Sequence, residues 1–269
     1  MDRNKQTRFI KKNTFKSIFS AKKKSLALYL LLCTTITSYA LIIESNKLSA
    51  VLDYIDSPNT LVIFDIDNTI AHPIEELGSD EWFCHLVNQR LAMGYDPTSS
   101  VYYVLPAYFY AQFNVPLQPT ETIIQDLIEH LTHNNIVAMA LSARNLFIAE
   151  RTLEQLENIN ITFPTPNINP QDLVLPMQHP CFYKQGILFA GNNDKGKALN
   201  CFFNIMNYYP KKVVFVDDKM KYLLAVEKAL EELNIEFCGI RYSGCDERVK
   251  NFDPVKAEQQ YRELRERNG

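Results

Sequence analysis

The chain has 269 residues, 46% of them hydrophobic and 22% charged, the proportions of an ordinary globular protein with room for one well-packed domain and an elaboration. With only 8 glycines it is poorly supplied for a glycine-rich phosphate loop. The net charge of −3 divides unevenly. Residues 1–24 carry nine Lys or Arg and one acid, leaving 19 basic and 30 acidic side chains in the rest. So acidic a body is a poor partner for nucleic acid, whose affinity comes largely from neutralised phosphates.

The basic head runs through Lys22, Lys23 and Lys24 into the uncharged stretch Ser25–Ile43. A positive region, an apolar core and then Ser38-Tyr39-Ala40 make the layout of a secretory signal with a small-x-small cleavage site. The eighteen residues Leu26–Ile43 are also long enough to span a bilayer as an uncleaved anchor; a buried core helix is the third reading. Cys33 follows three leucines, and Leu32 is too large for the position before a lipoprotein cysteine. Signal and anchor both place the body outside the cytoplasm, periplasmic, secreted or membrane-tethered through residues 25–43, because lysines stay on the inner side. The expected organisation is therefore a head at 1–44 and a folded domain at 45–269. Cys84, Cys181, Cys201, Cys238 and Cys245 form no CxxC pair, which argues against zinc. Cys238 and Cys245 are the nearest candidates for a disulfide, with ordinary buried thiols the preferred reading.

Beyond the head, Ser45–Ile55 reads as a lead-in helix and "TLVIF" (60–64) as a strand. Residues 79–134 read as helices only, the last with Ile123, Ile124, Leu127, Ile128 and Leu131 on one stripe, the spacing of a helix docked on a sheet. "IVAMAL" (136–141) predicts a strand, and Leu146, Ala149, Leu153 and Leu156 a helix. The Pro- and Asn-rich stretch 159–180 reads as loop with a short strand at 172–175, and 182–191 as a hairpin around Gln185-Gly186. A helix from 195 to 208, the strand "KVVFV" (212–216), a helix at 221–233, the strand "IEFCGI" (235–240) and a charged helix at 254–267 complete the chain. Strands that are unbroken apolar runs, alternating with helices, predict an α/β fold: a Rossmann-like, doubly wound parallel sheet covered on both faces.

Ligands of such sheets bind beyond the carboxyl ends of the strands. There the sequence places Asp65 and Asp67 after 60–64, Ser142 with Arg144 close by after 136–141, and Asp217 and Asp218 after 212–216; Lys195 and Lys197 stand at the start of the helix at 195. Each group alone is an ordinary turn or cap residue. Four carboxylates converging on one crevice would repel one another without a cation between them, and hard oxygen ligands without paired His or Cys suit Mg²⁺. A screened aspartate can attack phosphorus. A second carboxylate can serve as acid and base, while a hydroxyl and an ammonium hold the phosphoryl oxygens.

These stretches, "LVIFDIDNT", "AMALS", "NNDKG" and "VVFVDD", resemble the four motifs of the haloacid dehalogenase-like hydrolases, most of which are Mg²⁺-dependent phosphatases. The similarity spans about residues 50–240, and the layout also resembles a little-characterised group of exported bacterial members. The resemblance implies Asp65 as nucleophile and metal ligand. It implies Asp67 as general acid/base, ligating through its backbone carbonyl, and Ser142 and Lys195 as phosphate holders. Asp218 becomes a direct metal ligand and Asp217 a direct or water-mediated one. Asp at position 67 favours phosphate esters over dehalogenation. Lys195 is preferred to Lys197 because Gly196 follows it. About 71–134 would be a helical cap inserted after the first strand.

The cap aromatics Trp82, Tyr102, Tyr103, Tyr108, Phe109, Tyr110 and Phe113 would form either a substrate-facing wall or, the preferred reading, a small core of their own. His72 reads as a loop residue without a role, and His130 and His133 as a solvated face. A Mg²⁺-dependent phosphatase acting on a small phosphorylated substrate is the expectation. The alternatives are a non-catalytic exported binding protein that keeps the fold, and a phosphotransferase using the same aspartate. A phosphoacceptor receiver domain is disfavoured because its acidic pair comes first in the chain.

Overall fold

A computed structural model describes residues 41–164, 168 and 171–268. Its strands are β1 (Leu41–Ser45), β2 (Thr60–Phe64), β3 (Ala71–Pro73), β4 (Leu117–Pro119), β5 (Val137–Ser142), β6 (Leu173–Leu175), β7 (Cys181–Lys184), β8 (Ile187–Phe189), β9 (Lys212–Asp217) and β10 (Glu236–Tyr242). Its α-helices are α1 (Asp80–Ala92), α2 (Pro97–Asn114), α3 (Ile124–His133), α4 (Ala149–Glu157), α5 (Lys195–Met206), α6 (Met220–Glu232), α7 (Asp246–Lys250) and α8 (Pro254–Asn268). One sheet runs β1-β10-β9-β2-β5-β8-β7-β6, with β3 and β4 forming a separate hairpin. From β1 to β8 the pairings are parallel; β7 and β6 return antiparallel.

The alternation of side chains explains why the central strands are apolar throughout. Val62, Phe64, Ala138, Ala140, Val214 and Val216 point to one face and pack with Leu127, Ile128 and Leu131 of α3 and Leu156 of α4. Leu61, Ile63, Met139, Leu141, Val213 and Phe215 point to the other and meet Phe202 and Phe203 of α5 and Val226 and Leu230 of α6. With helices on both faces, neither set of alternate residues can be polar. This is the doubly wound architecture expected from the order of elements. The Gln185-Gly186 hairpin is also present, both residues taking positive φ, as a two-residue turn demands.

Four expectations change. Leu41–Ile43, taken with the apolar head, belong to β1, which pairs parallel with β10 at the sheet edge; the remainder of the signal or anchor stretch lies outside the described residues. The strand that carries Asp65 at its end, β2, is therefore second in the chain, not first. Ser45–Ile55 is not a full helix but a 3₁₀ turn over Leu48–Tyr54 that buries only Leu48 and Val51. The stretch 79–134 is not helical throughout: β4 interrupts it, and α3 docks on the sheet core. The cap is thus the β3–β4 hairpin with α1 and α2, ending near Pro119.

Helix α8 completes that cap from the far end of the chain. Ala257 and Leu264 join Leu77, Trp82, Tyr108, Ala111 and Val115 in one apolar cluster, and Trp82 lies 5.3 Å from Tyr261 between ring centroids. Arg248 pairs with Glu81 at 2.9 Å. Among the described residues no helix is long and apolar enough to cross a membrane, and the described cysteines are free thiols, Cys238 and Cys245 included.

Candidate functional site

Strand β2 ends in a backbone staple. The Asp65 N–H donates to the Val216 carbonyl at 2.8 Å, tying the tip of β2 to that of β9. The chain then turns tightly: the N–H groups of Ile70 and Ala71 both donate to the Ile66 carbonyl, and Asn68 takes a left-handed φ of 59°. The Thr69 hydroxyl accepts from the Asp218 N–H at 3.1 Å. Two strand tips 150 residues apart in sequence are thereby locked side by side.

On this frame Asp65, Asp217 and Asp218 each offer a carboxylate oxygen, all within 4.8 Å of one another. Lys195 reaches them from the first turn of α5. Its fully buried ammonium donates to Asp65 Oδ1 at 2.6 Å and to Asp217 Oδ2 at 2.7 Å, and lies 4.3 Å from the centre of the Tyr222 ring. Asp194 caps α5 by accepting from the Lys197 N–H at 2.9 Å, which aims residue 195 inward and leaves Lys197 exposed. Gly196 lets α5 and α6 touch, since a Cβ there would collide with the Ala225 carbonyl.

One cation does not neutralise three carboxylates. Asp218 Oδ1 is buried without a hydrogen-bond partner. Burial, and then the charges of Asp65 and Asp217, push the Asp218 carboxyl up to about 9. Burial raises Asp65 to about 7 against the attraction of Lys195, and Asp217 is raised for the same reason. Lys195 goes above its ordinary value: burial alone would lower it, but the two aspartates outweigh that. An orphaned buried oxygen in an all-carboxylate cluster is the donor chemistry of a hard divalent cation.

Asp67 stands apart from this cluster. Its carboxylate receives a bidentate grip from Arg144, Nε to Oδ2 at 2.9 Å and Nη2 to Oδ1 at 2.8 Å. Burial would raise its pKa, but the guanidinium charge and hydrogen bonds prevail and hold it below the usual carboxylate range. Arg144 is itself fixed by Thr152 and Gln155 through Nη1. The Ser142 hydroxyl is buried and accepts from the Arg144 N–H at 3.1 Å. So Asp65, Lys195, Asp217 and Asp218 come together, while Asp67 and Ser142 meet at Arg144.

Two participants escaped the sequence reading. Arg144 was visible only as a basic residue near a strand end, with nothing to show its partner. Lys219 directly follows the Asp217-Asp218 pair in the sequence, where nothing marks a role for it; its ammonium binds Asp80 at the start of α1, joining the acidic tip of β9 to the cap. His72 lies on β3, half-buried, its Nδ1 2.8 Å from the Pro73 carbonyl. A cavity of about 520 Å³ opens between α1, α2 and the strand ends, with Asp67 and Arg144 in its wall. The cap aromatics overlap in role: Trp82 is buried in the cap core, Tyr102 lines this cavity, and Tyr108, Phe83 and Phe109 pack on that core and line the cavity too.

Fold and site together define a doubly wound α/β protein with a capped acidic centre at the carboxyl ends of its strands. The chain belongs to the family described as "Protein of unknown function (DUF2608)", which matches residues 44–267. Relatives include a "Putative outer membrane protein" of Chlamydia trachomatis serovar D, 28% identical over 77% of both chains. A protein of the same name from Chlamydia muridarum is 26% identical over 77% of both. One from Chlamydia pneumoniae is 22% identical, covering 84% of this chain and 86% of its own. Among solved structures, a haloacid dehalogenase-like family hydrolase from Streptococcus pneumoniae aligns over 71% of this chain and 97% of its own, at 12% identity and a TM-score of 0.38. That likeness is too low to bear on activity.

Proposed function

We propose that this protein is a Mg²⁺-dependent phosphomonoesterase that works through an aspartyl-phosphate on Asp65. The observation that carries the reading is the meeting of Asp65, Asp217 and Asp218 within 4.8 Å, with Lys195 buried among them. Asp65, Asp217 and Asp218 would hold the ion, with the backbone carbonyl of Asp67 as a further ligand, and the ion would supply charge to bind and polarise the phosphoryl oxygens.

Asp65 attacks phosphorus: an oxygen–phosphorus bond forms to its carboxylate as the ester oxygen–phosphorus bond breaks. Lys195 favours the ionised nucleophile and stabilises charge on the transferring group. Ser142 is the second phosphate holder at the end of β5. Asp67 delivers a proton to the leaving oxygen and later takes one from the water that attacks the aspartyl-phosphate, releasing phosphate and regenerating Asp65. Arg144 orients Asp67 and favours its ionised form, so the base half of that role has the stronger support.

The same reading places the protein in the cell envelope. It rests on the basic, apolar head at 1–43 and on the names of the relatives, with residues 25–43 as signal or membrane anchor. The substrate is a small phosphorylated molecule; the net charge beyond residue 24 disfavours nucleic acid.

Incubating the purified protein with p-nitrophenyl phosphate and Mg²⁺ tests the chemistry. Turnover that disappears with chelation and in Asp65→Asn is expected. Absence of turnover across a broad panel of phosphoesters would leave a non-catalytic binding protein, and phosphoryl transfer to added alcohols in preference to water would show a phosphotransferase.

A further inference from the structure

The cavity beside Asp67 differs from the acidic centre in chemistry, and that difference constrains what the ester's alcohol can be. Its volume of about 520 Å³ falls in the range of small-molecule clefts, roughly 300–1,000 Å³. Aromatic rings approach it from two directions: Phe83, Tyr102 and Phe109 from the cap, and Tyr222 from α6. Tyr102 remains 50% exposed, and Phe83 and Phe109 are only half-buried. The cap core therefore leaves part of these ring surfaces free towards the cleft.

The charged groups of the same cleft and Asn193 are already engaged, whereas Thr98 and Asn192 of its lining carry no side-chain hydrogen bond to the described residues. Among the described residues lining it, Arg144 is the only lysine or arginine, and all three of its side-chain nitrogens have partners on Asp67, Thr152 and Gln155. Asp80 is paired with Lys219, and Asp194 caps α5. The Asn193 amide closes the loop at His179 and Ala190 through both its ends, and His179 Nδ1 lies 3.4 Å from the Tyr102 hydroxyl. A second phosphate would find no free cation here, and a polyol would find few uncommitted hydrogen-bonding groups. A flat, uncharged ring would find aromatic surface.

Resting on the phosphatase reading above, the geometry points to a monophosphate ester whose alcohol carries an aromatic ring as the substrate class. An aryl phosphate and a nucleoside monophosphate both satisfy this chemistry. Sugar phosphates, glycerol phosphates and nucleoside triphosphates do not.

The test has two arms. With the full chain and Mg²⁺, kcat/KM is compared for phenyl phosphate, adenosine 5′-monophosphate, glycerol 3-phosphate, glucose 6-phosphate and adenosine 5′-triphosphate. At least one ring-bearing monoester should exceed the glycerol and sugar esters by about tenfold or more; which of the two leads separates the aryl from the nucleoside source. Tyr102→Ala, at a half-exposed position, should lower that preference about 3- to 10-fold, the worth of one aromatic stacking contact. In the second arm, binding of the same esters to Asp65→Asn is measured by calorimetry, where no turnover is needed. Ring-bearing esters that bind selectively without any turnover in the wild-type chain would refute the phosphatase reading alone. Equal or weaker binding of ring-bearing esters relative to glycerol 3-phosphate, no binding at all, or a preference untouched by Tyr102→Ala, overturns the inference.

Discussion

Replacing Asp218 by Asn should make the metal-free protein more stable while removing its response to Mg²⁺. The oxygens of Asp65, Asp217 and Asp218 lie within 4.8 Å. At an effective dielectric of about 20, two full charges at that distance repel by about 3.5 kcal/mol. Lys195 offsets this for Asp65 and Asp217, which it contacts directly, but Asp218 Oδ1 has no partner. The native state escapes part of the repulsion by keeping Asp218 protonated up to about pH 9, so the net cost is smaller than the bare Coulomb figure, about 1–3 kcal/mol.

Asn is nearly isosteric and uncharged, and the Asp218 N–H bond to Thr69 Oγ1 is a backbone interaction that survives the change. At about 2–4 °C per kcal/mol for a domain of this size, the metal-free melting temperature at pH 7.5 should rise by about 2–12 °C. Wild-type protein given Mg²⁺ at a hundred times its dissociation constant should gain about 2.7 kcal/mol, and the variant close to nothing. Differential scanning calorimetry with chelator and with Mg²⁺ reads both effects. A variant that melts lower than wild type without metal, or one that keeps the full Mg²⁺ shift, would refute the argument that Asp218 is an uncompensated ligand.

The Mg²⁺ shift should itself depend on pH. Asp65 and Asp218 are raised from 3.8 to about 7 and about 9, so the folded state retains protons that the unfolded chain has lost. The stability from this cluster is therefore fully present below about pH 4 and lost as pH rises through 7 and 9, at about 1.4 kcal/mol per pH unit for each retained proton. Cation binding displaces those protons, and the increase in melting temperature with Mg²⁺ should be larger at pH 8 than at pH 5; a pH-independent increase contradicts this. Lys195→Met strands two buried carboxylates and should cost about 3–5 kcal/mol, seen as a lower urea midpoint; an unchanged midpoint would show that the lysine is not a buried counter-ion. Arg144→Lys loses the two-pronged grip on Asp67 and should cost about 1–3 kcal/mol in the same measurement. Gly196→Ala pushes a methyl group against the Ala225 carbonyl and should cost about 1–3 kcal/mol by forcing α5 from α6; a neutral result would mean the helix contact is looser than described.

Much of this architecture is written in short stretches of chain. Strands β2, β5 and β9 are legible because a sheet covered on both faces tolerates no polar side chain on either, and an unbroken apolar run is a local signal. Their carboxyl ends are legible too, since each run stops at a charged or hydroxyl-bearing residue: Asp65, Ser142 and Asp217. The start of α5 is marked by Asp194, and the β7–β8 hairpin by Gln185-Gly186, because caps and tight turns are decided by a few neighbouring residues.

What the chain folds against was decided elsewhere. The apolar stripe of α3 reads as a helix docked on a sheet, and it is one, but the stripe does not show that this helix lies outside a cap expected over 71–134. Leu41–Ile43 are as apolar as the head before them, and only their pairing with β10 makes them an edge strand. Helix α8 looked like a charged terminal helix, yet Ala257 and Leu264 close the cap core from more than 140 residues away. Arg144 grips Asp67 across 77 positions, and nothing near either residue announces the other. Periodicity and caps act within a few residues, so they survive in the sequence; the choice of an ion-pair partner or a packing surface depends on which distant segments the topology brings together.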